Sequence, residues 1–337
     1  MNLKERIKVL TEAYGPSGFE DEVIRLAVEM LTPLVDEIYH DNMGSVIACR
    51  KCGHADAKKL LIETHIDEIG FVITGVQDGF LKFDSMSRLD ARLLPAAEIK
   101  ILANEEVYGI IDTLPPHVLS SDDMKKVIEI NDLVIDTGGK EVPVGTPAVF
   151  SARFKELTDG VLSGKAMDNR SCFAVALDVM ERIKDDQLDI DVYLVASVQE
   201  EVGLRGAKTG SYSVQPDQAI VMDVTFAYTP GCQKEKTLKF GGGAAIGRGP
   251  HTSRAMTDYL VDMAKTNGTE FQIEIMPGSS GTTAGVVQLT GVGVPTAIVS
   301  LPIKYMHSPV ETMHINDARA MSDLITCYIR NPWKGAF

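Results

Sequence analysis

The 337-residue chain has only five cysteines, Cys49, Cys52, Cys172, Cys232 and Cys327, odd in number and widely scattered. That pattern excludes a secreted disulfide framework and sets the expectation of a reduced, cytoplasmic location. Cys49 and Cys52 form a CxxC with no second pair behind it, so no zinc finger is expected. No apolar run approaches the ~20 residues that a membrane-spanning helix needs. The opening MNLKERIKVLTEAYG also lacks the unbroken apolar core of a signal peptide. Positive charge is short: 33 Lys and Arg stand against 47 Asp and Glu, a net charge of -14. Nucleic acid is therefore not an expected partner, because its binding depends on phosphate neutralisation. Several catalytic strings are missing as well. There is no GxxxxGK[ST], GxSxG or HExxH, and GGGAAIG has the wrong spacing for a dinucleotide loop.

What is present is ordinary globular material, 45% hydrophobic and 24% charged, in a length that suggests about two domains. Leu3, Ile7 and Leu10 recur at helical spacing over 3–13, and Gly15-Pro16 ends that run. Ser17 and Glu20 read as a capping box for a second helix reaching Leu31. Strand-like runs follow at 34–40, 44–50 and 58–64. From about 70 to 157 short alternating or β-branched runs lie between turn residues, with one weak helical stretch near 121–129. That texture predicts a small β-barrel or sandwich. After Gly164 strands and helices alternate: helix 169–184, strand 190–198, helix near 203–212 and strand 218–223 come first. Helix 252–267, strand 270–276, helix near 282–289, strand 294–300 and helix 314–329 complete the pattern. It predicts an α/β domain, a mostly parallel sheet with helices on both faces, built from 1–69 and 158–337 and interrupted by an inserted β domain at 70–157.

Acids and histidines stand where the predicted strands end. LLIETHIDEIG carries His65 and Asp67, SGKAMDNRSC carries Asp168, and VYLVASVQEEVGLRGA carries Glu200 and Glu201. AIVMDVTFA carries Asp223, and YMHSPVETMH carries His307. Each alone has a bland explanation: a core histidine, a helix-start acid, an N-cap or a turn residue. Together those explanations weaken, because ligands collect at the carboxyl ends of strands in open α/β sheets, and each charge there needs a partner. His, Asp, Glu, Asp and His are also a donor set that suits two divalent cations, one carboxylate bridging both. Three such carboxylates and one hydroxide would balance the charge of the pair.

The strings THIDEIGFVITGV, LPPHVLS with DLVIDTG, SGKAMDNRSC, VQEEVGLRGA, MDVTFA and YMHSPVETMH, in order over nearly the whole chain, resemble the tetrahedral dinuclear metallo-aminopeptidases. That family includes deblocking and glutamyl aminopeptidases and proteins labelled endoglucanase or cellulase M. The resemblance implies a catalytic α/β domain interrupted by a PDZ-like β domain that pairs subunits, and an enzyme that removes N-terminal residues from short peptides. Carried over, His65, Asp168 and Asp223 would hold one metal, and Asp168, Glu201 and His307 the other, with Asp168 bridging. Asp67 would fix the tautomer of His65. Glu200 would be the general base acting on the water between the metals. Because successive side chains at a strand end point apart, Glu200 and Glu201 are expected to take these two different roles. The resemblance further implies zinc or cobalt, with manganese also compatible, and a homo-oligomer of twelve subunits built from dimers. Two departures stand out: Thr283 occupies the place in GSSGTTAG where the family usually has Asp, and the β domain is shortened around GGKEVPVGT. The competing readings are a glycosidase working with a carboxylate pair and a non-catalytic scaffold of the same fold.

Overall fold

The computed structural model describes residues 1–278 and 280–335, so Ser279 of the GSSGTTAG stretch lies outside the described residues. The chain opens with α1 (Leu3–Glu12) and α2 (Asp21–Leu31), followed by β1 (Glu37–His40), β2 (Val46–Arg50) and β3 (Lys59–His65). Next come β4 (Phe71–Gln77), β5 (Phe80–Ser85), β6 (Glu98–Leu102), β7 (Glu106–Ile111), β8 (Ile135–Asp136) and β9 (Pro147–Phe150). Short strands β10 (Lys155–Glu156) and β11 (Val161–Gly164) lead to α3 (Met167–Ile183), β12 (Asp191–Ser197), α4 (Arg205–Val214) and β13 (Gln218–Phe226). The remainder is β14 (Ala244–Arg248), α5 (Arg254–Asn267), β15 (Phe271–Ile275), α6 (Ala284–Val287), β16 (Thr296–Lys304), β17 (Glu311–His314) and α7 (Ile315–Arg330).

Eleven strands form one sheet in the order β1-β2-β12-β3-β13-β16-β17-β11-β10, with β14 and β15 added beside β16. Its centre, β12-β3-β13-β16, is parallel. These strands are buried along nearly their whole length, and for that reason they read as continuous apolar runs rather than alternating ones. Leu60, Ile62, Ile220 and Met222 pack towards one face, with α3, α5 and α7, while Leu61, Ala219 and Val221 pack towards the other, with α4 and α6. The α/β sheet with helices on both faces is thus present as expected, but it is mixed rather than mostly parallel, because the strands flanking its parallel centre join antiparallel.

The six strands from Phe71 to Phe150 close into a barrel, in the order β4-β5-β8-β7-β6-β9. Strand β7 alternates strictly between exposed and buried, the signature of a half-buried strand. Phe71 sits edge-on to Phe83 at 5.5 Å and to Phe150 at 5.2 Å, filling the barrel's core. The inserted small barrel is therefore observed, and β10 already belongs to the large sheet.

Some local expectations change. The helix predicted near 121–129 is absent; only short 3-10 turns occur between β7 and β8, where the residues are largely exposed and no apolar face is buried. The strand predicted from residue 34 begins at Glu37, and the helix near 282–289 shrinks to α6, Ala284–Val287. The stretch around GGKEVPVGT, between β8 and β9, runs through turns and holds no helix. A reciprocal capping box exists, but at Asn2 and Glu5: the Asn2 side chain accepts from Glu5 N–H at 3.0 Å and Glu5 accepts from Asn2 N–H at 2.9 Å. The box expected at Ser17 and Glu20 is not formed, and α2 starts without a side-chain cap. Ser17 instead donates to Asp67 Oδ2 at 2.6 Å, while Glu20 Oε1 accepts from Gln199 N–H at 3.1 Å. Both residues brace loops at the carboxyl end of the sheet.

Candidate metal centre

The parallel register places Ser197 beside His65 and runs β13 alongside β3, so their carboxyl ends open at one edge. His65 is the last residue of β3, and Glu200 and Glu201 lie in the loop after β12. Asp223 falls inside β13 rather than at its end, because that strand continues to Phe226. Asp168 is not the N-cap of α3. It and Asn169 depart from helical dihedrals within the first turn, and Ala166 before them has a left-handed φ of 53°. Gln199, Leu204, Tyr305 and His307 also have positive φ, so five of the nine such non-glycine residues among the described ones surround this edge. Strained backbone of this kind collects at functional sites, where it aims side chains.

These segments bring all seven expected residues together. His65 Nε2 lies 3.1 Å from Asp168 Oδ1, and His307 Nε2 lies 3.4 Å from Asp168 Oδ2. Each oxygen of Asp168 therefore faces one histidine. His65 Nε2 is also 4.0 Å from Asp223 Oδ1 and 4.0 Å from Glu200 Oε2, while His307 Nε2 is 3.2 Å from Glu201 Oε1. Donor atoms of His65, Asp168 and Asp223 lie within 4.8 Å of one another, as do those of Asp168, Glu201 and His307. His65, Glu200 and Glu201 make a third such group. The alternation argument for the two glutamates does not apply, since both stand beyond the strand and both side chains turn into the cluster.

Asp67 organises the site from behind. His65 Nδ1 points to Asp67, 3.2 Å from its carbonyl and 3.4 Å from its carboxylate, which leaves Nε2 facing the cluster. The Asp67 carboxylate accepts from Glu200 N–H at 3.0 Å and from Glu201 N–H at 3.2 Å, fixing the loop that carries both acids. A residue missed in the sequence does the same for the other side. Glu311 accepts from Asp168 N–H at 3.0 Å and from His307 N–H at 2.7 Å, and is buried. Its only signal was its place in YMHSPVETMH, four residues after His307.

The electrostatics call for added positive charge. Among the described residues, the ion-pair partners of Asp168, Glu200, Glu201 and Asp223 are His65 and His307 alone. Burial pushes the Glu200 carboxyl up to about 9, and burial together with the Asp168 charge raises Asp223 well above the carboxylate range. Burial opposes the charge on His307, yet the Asp168 and Glu201 carboxylates raise it to about 11. Protons thus stand where cations would relieve the same repulsion, and imidazole nitrogens with carboxylates are donors that borderline divalent ions accept. The donor set fits a pair of such ions. The residues line a cleft of about 470 Å³. A larger cleft of about 590 Å³ beside the barrel, lined by Tyr14, Tyr108 and Arg153 among others, holds no histidine.

The family described as M42 glutamyl aminopeptidase matches residues 44–324. The chain is 32% identical to the lysyl aminopeptidase of Pyrococcus furiosus over 95% of this chain and 94% of that protein. Among solved structures it is similar to a TET aminopeptidase from a marine-sediment thaumarchaeon, with a TM-score of 0.92, 31% identity, and coverage of 98% of this chain and 96% of that one. It is also similar to the Pyrococcus horikoshii TET1 peptidase, which assembles into a tetrahedron or a large octahedral shell, with a TM-score of 0.86, 29% identity, and coverage of 98% and 100%.

Proposed function

Since the chain belongs to the M42 glutamyl aminopeptidase family, and so is a metal-dependent aminopeptidase, we propose that its cleft removes N-terminal residues from short peptides with the seven residues in the roles given below. One observation carries the reading: the Asp168 carboxylate lies between His65 and His307 with one oxygen towards each, at 3.1 and 3.4 Å. His65, Asp168 and Asp223 would hold one divalent ion, and Asp168, Glu201 and His307 the other, with zinc or cobalt favoured and manganese compatible. When bound, such ions polarise the scissile carbonyl and acidify water, which is the chemistry they contribute. Asp67 holds His65 by Nδ1, so that Nε2 keeps its lone pair free for ligation. Glu200 is the group in the cluster left over from ligation. Its Oε2 takes a proton from the attacking water and returns it to the leaving amine. The peptide's free amine would also bind to an ion held there, which would select chain ends.

No observation favours the glycosidase alternative, whose carboxyl pair would leave His65 and His307 without work. For assembly we propose a homo-oligomer paired through the barrel of 70–157, a dodecamer built from dimers. Tyr108, Ile110, Leu114, Val118, Met124 and Val127 are exposed on β7 and the segment after it, an apolar surface that pairing would cover. A cytoplasmic setting is part of the reading, supported by the absence of pairing among Cys49, Cys52, Cys172, Cys232 and Cys327. No described helix is long and apolar enough to cross a membrane.

The test is chelation followed by reconstitution. Activity on a free-amine peptide is expected to vanish without metal and return with zinc, cobalt or manganese, while an acetylated peptide is cleaved far more slowly and a cellulose fragment is not turned over. Full turnover by a verified metal-free sample, or equal rates on blocked and free peptides, would overturn the reading.

A further inference from the structure

One acid in the cleft has no part in the metal centre. Glu274, on the edge strand β15, lines the same cavity as His65, Asp168 and His307. Its Oε1 accepts from the Thr225 hydroxyl. Its Oε2 is a buried oxygen with no well-formed hydrogen bond among the described residues, and the Ser300 hydroxyl, buried and likewise without one, is close enough to hold the carboxyl down against burial. No Lys, Arg or His lies within ion-pair distance of it in the described structure, and burial raises its carboxyl above the ordinary range. A buried carboxylate with no cation beside it is costly, so a cation that reaches it from the cleft side is favoured.

The spacing says what that group is. Thr225 follows Asp223 by two residues on β13, so both side chains leave the same face of the strand. Two residues of strand span roughly 6.5 Å. Glu274, held by Thr225, therefore stands about one long side chain away from the metal centre. Leu204, Met276 and Met306 also line the cleft and give it apolar walls. An aliphatic stem lying along such walls with a cation at its tip is the architecture of Lys and Arg. Arg88 also lines the cleft, and would favour an acidic residue, but its side chain is exposed, where solvent screens its charge.

We propose that Glu274 is the specificity-determining residue of this cleft and that it selects peptides whose N-terminal residue is basic, lysine or arginine. The inference rests on the aminopeptidase reading and adds the substrate class to it. The probe is a pair of aminoacyl nitroanilides, lysyl and norleucyl, which share the stem and differ in the terminal cation. The metal-loaded wild type is expected to prefer lysyl over norleucyl by at least roughly tenfold in kcat/KM, and Glu274→Gln to collapse that ratio by roughly 10- to 100-fold, the range of one hydrogen bond to a charged group. Metal content and melting temperature of the variant check that the site and the fold survive. Inhibition of the wild type by free lysine against free norleucine supplies a second measurement that needs no variant, and lysine is expected to bind at least tenfold more tightly.

A wild-type ratio near one, with equal inhibition by the two amino acids, overturns the proposal. So does a ratio that Glu274→Gln leaves intact, or a variant that loses both substrates in equal proportion, which would mark a structural acid. These outcomes leave the aminopeptidase reading standing, because norleucyl substrate is still cleaved. A metal-loaded enzyme that cleaves no free-amine substrate removes the reading and this inference with it.

Discussion

Arg170→Met tests how the catalytic edge is anchored. Arg170 is fully buried, and its guanidinium donates to the carbonyls of Ile66 at 2.9 Å, Leu10 at 3.1 Å and Gly15 at 3.2 Å, with Glu68 at 3.1 Å as its counter-ion. It thereby ties the end of α1 to the loop between His65 and Asp67. Methionine fills most of the stem's volume, so the main loss is polar. The Gly15 carbonyl keeps a second donor, Glu68 N–H at 3.1 Å, and Glu68 keeps Lys165 Nζ at 2.8 Å. The Leu10 and Ile66 carbonyls keep no other donor among the described residues. Two orphaned acceptors at about 1–3 kcal/mol each give a destabilisation of about 2–6 kcal/mol, to which the lost ion pair adds little because Glu68 keeps Lys165. For a chain of this size that corresponds to a fall of about 3–8 °C in apparent Tm. Thermal unfolding of metal-loaded wild type, Arg170→Met and Arg170→Lys is the assay. Lysine keeps the charge but loses the planar fork, and so falls between the other two. A methionine variant melting within about 2 °C of wild type would refute the reasoning, because a buried fork with orphaned partners cannot be that cheap.

Glu200→Gln is expected to retain both metals and lose roughly 10²–10⁴ in turnover number, whereas Glu201→Gln loses one metal and regains activity at high metal concentration; elemental analysis beside kinetics checks both, and the reverse pattern would exchange their roles. Glu311→Ala removes the acceptor of Asp168 N–H and His307 N–H, and metal affinity measured by competition is expected to fall about 10- to 100-fold, with unchanged affinity sinking the positioning role. Thr283 donates to Glu63, which is wholly buried, so Thr283→Asp sets a second carboxylate against it and is expected to lower stability by about 2–4 kcal/mol. Adding Glu63→Gln should recover part of that loss in urea unfolding, and strict additivity would count against the coupling. Light scattering is expected to show a multiple of the 36.6 kDa chain, and a monomer at micromolar concentration would contradict the assembly.

The parallel core was legible because strands buried on both faces must be apolar throughout, and KKLLIET or DVYLVAS shows this without help from distant residues. The first layer of the site was legible for the same reason inverted: a charge at the end of an apolar run stands out, as His65 and Asp67 do. Where the sequence misled, a local signal had been recruited by a remote partner. Ser17 and Glu20 have capping-box spacing, but their oxygens are spent on Asp67 and Gln199. Glu200 and Glu201 look like strand neighbours that must diverge, yet the turn after β12 lets both enter the cluster.

Glu63 shows why such cases resist reading from sequence. It interrupts an apolar strand two residues before His65, where a charge should not be tolerated. Ser197 Oγ at 2.6 Å and the Thr283 hydroxyl satisfy its two oxygens, from 134 and 220 residues away. Burial still raises the Glu63 carboxyl to about 6 despite those donors. Glu63, an acid inside a strand, and Thr283, where the family resemblance implies an acid, touch each other. Neither oddity has an explanation alone, and the contact between them gives one physical reason for both: a buried carboxylate with two hydroxyl donors is tolerable, whereas two facing carboxylates without a cation are not.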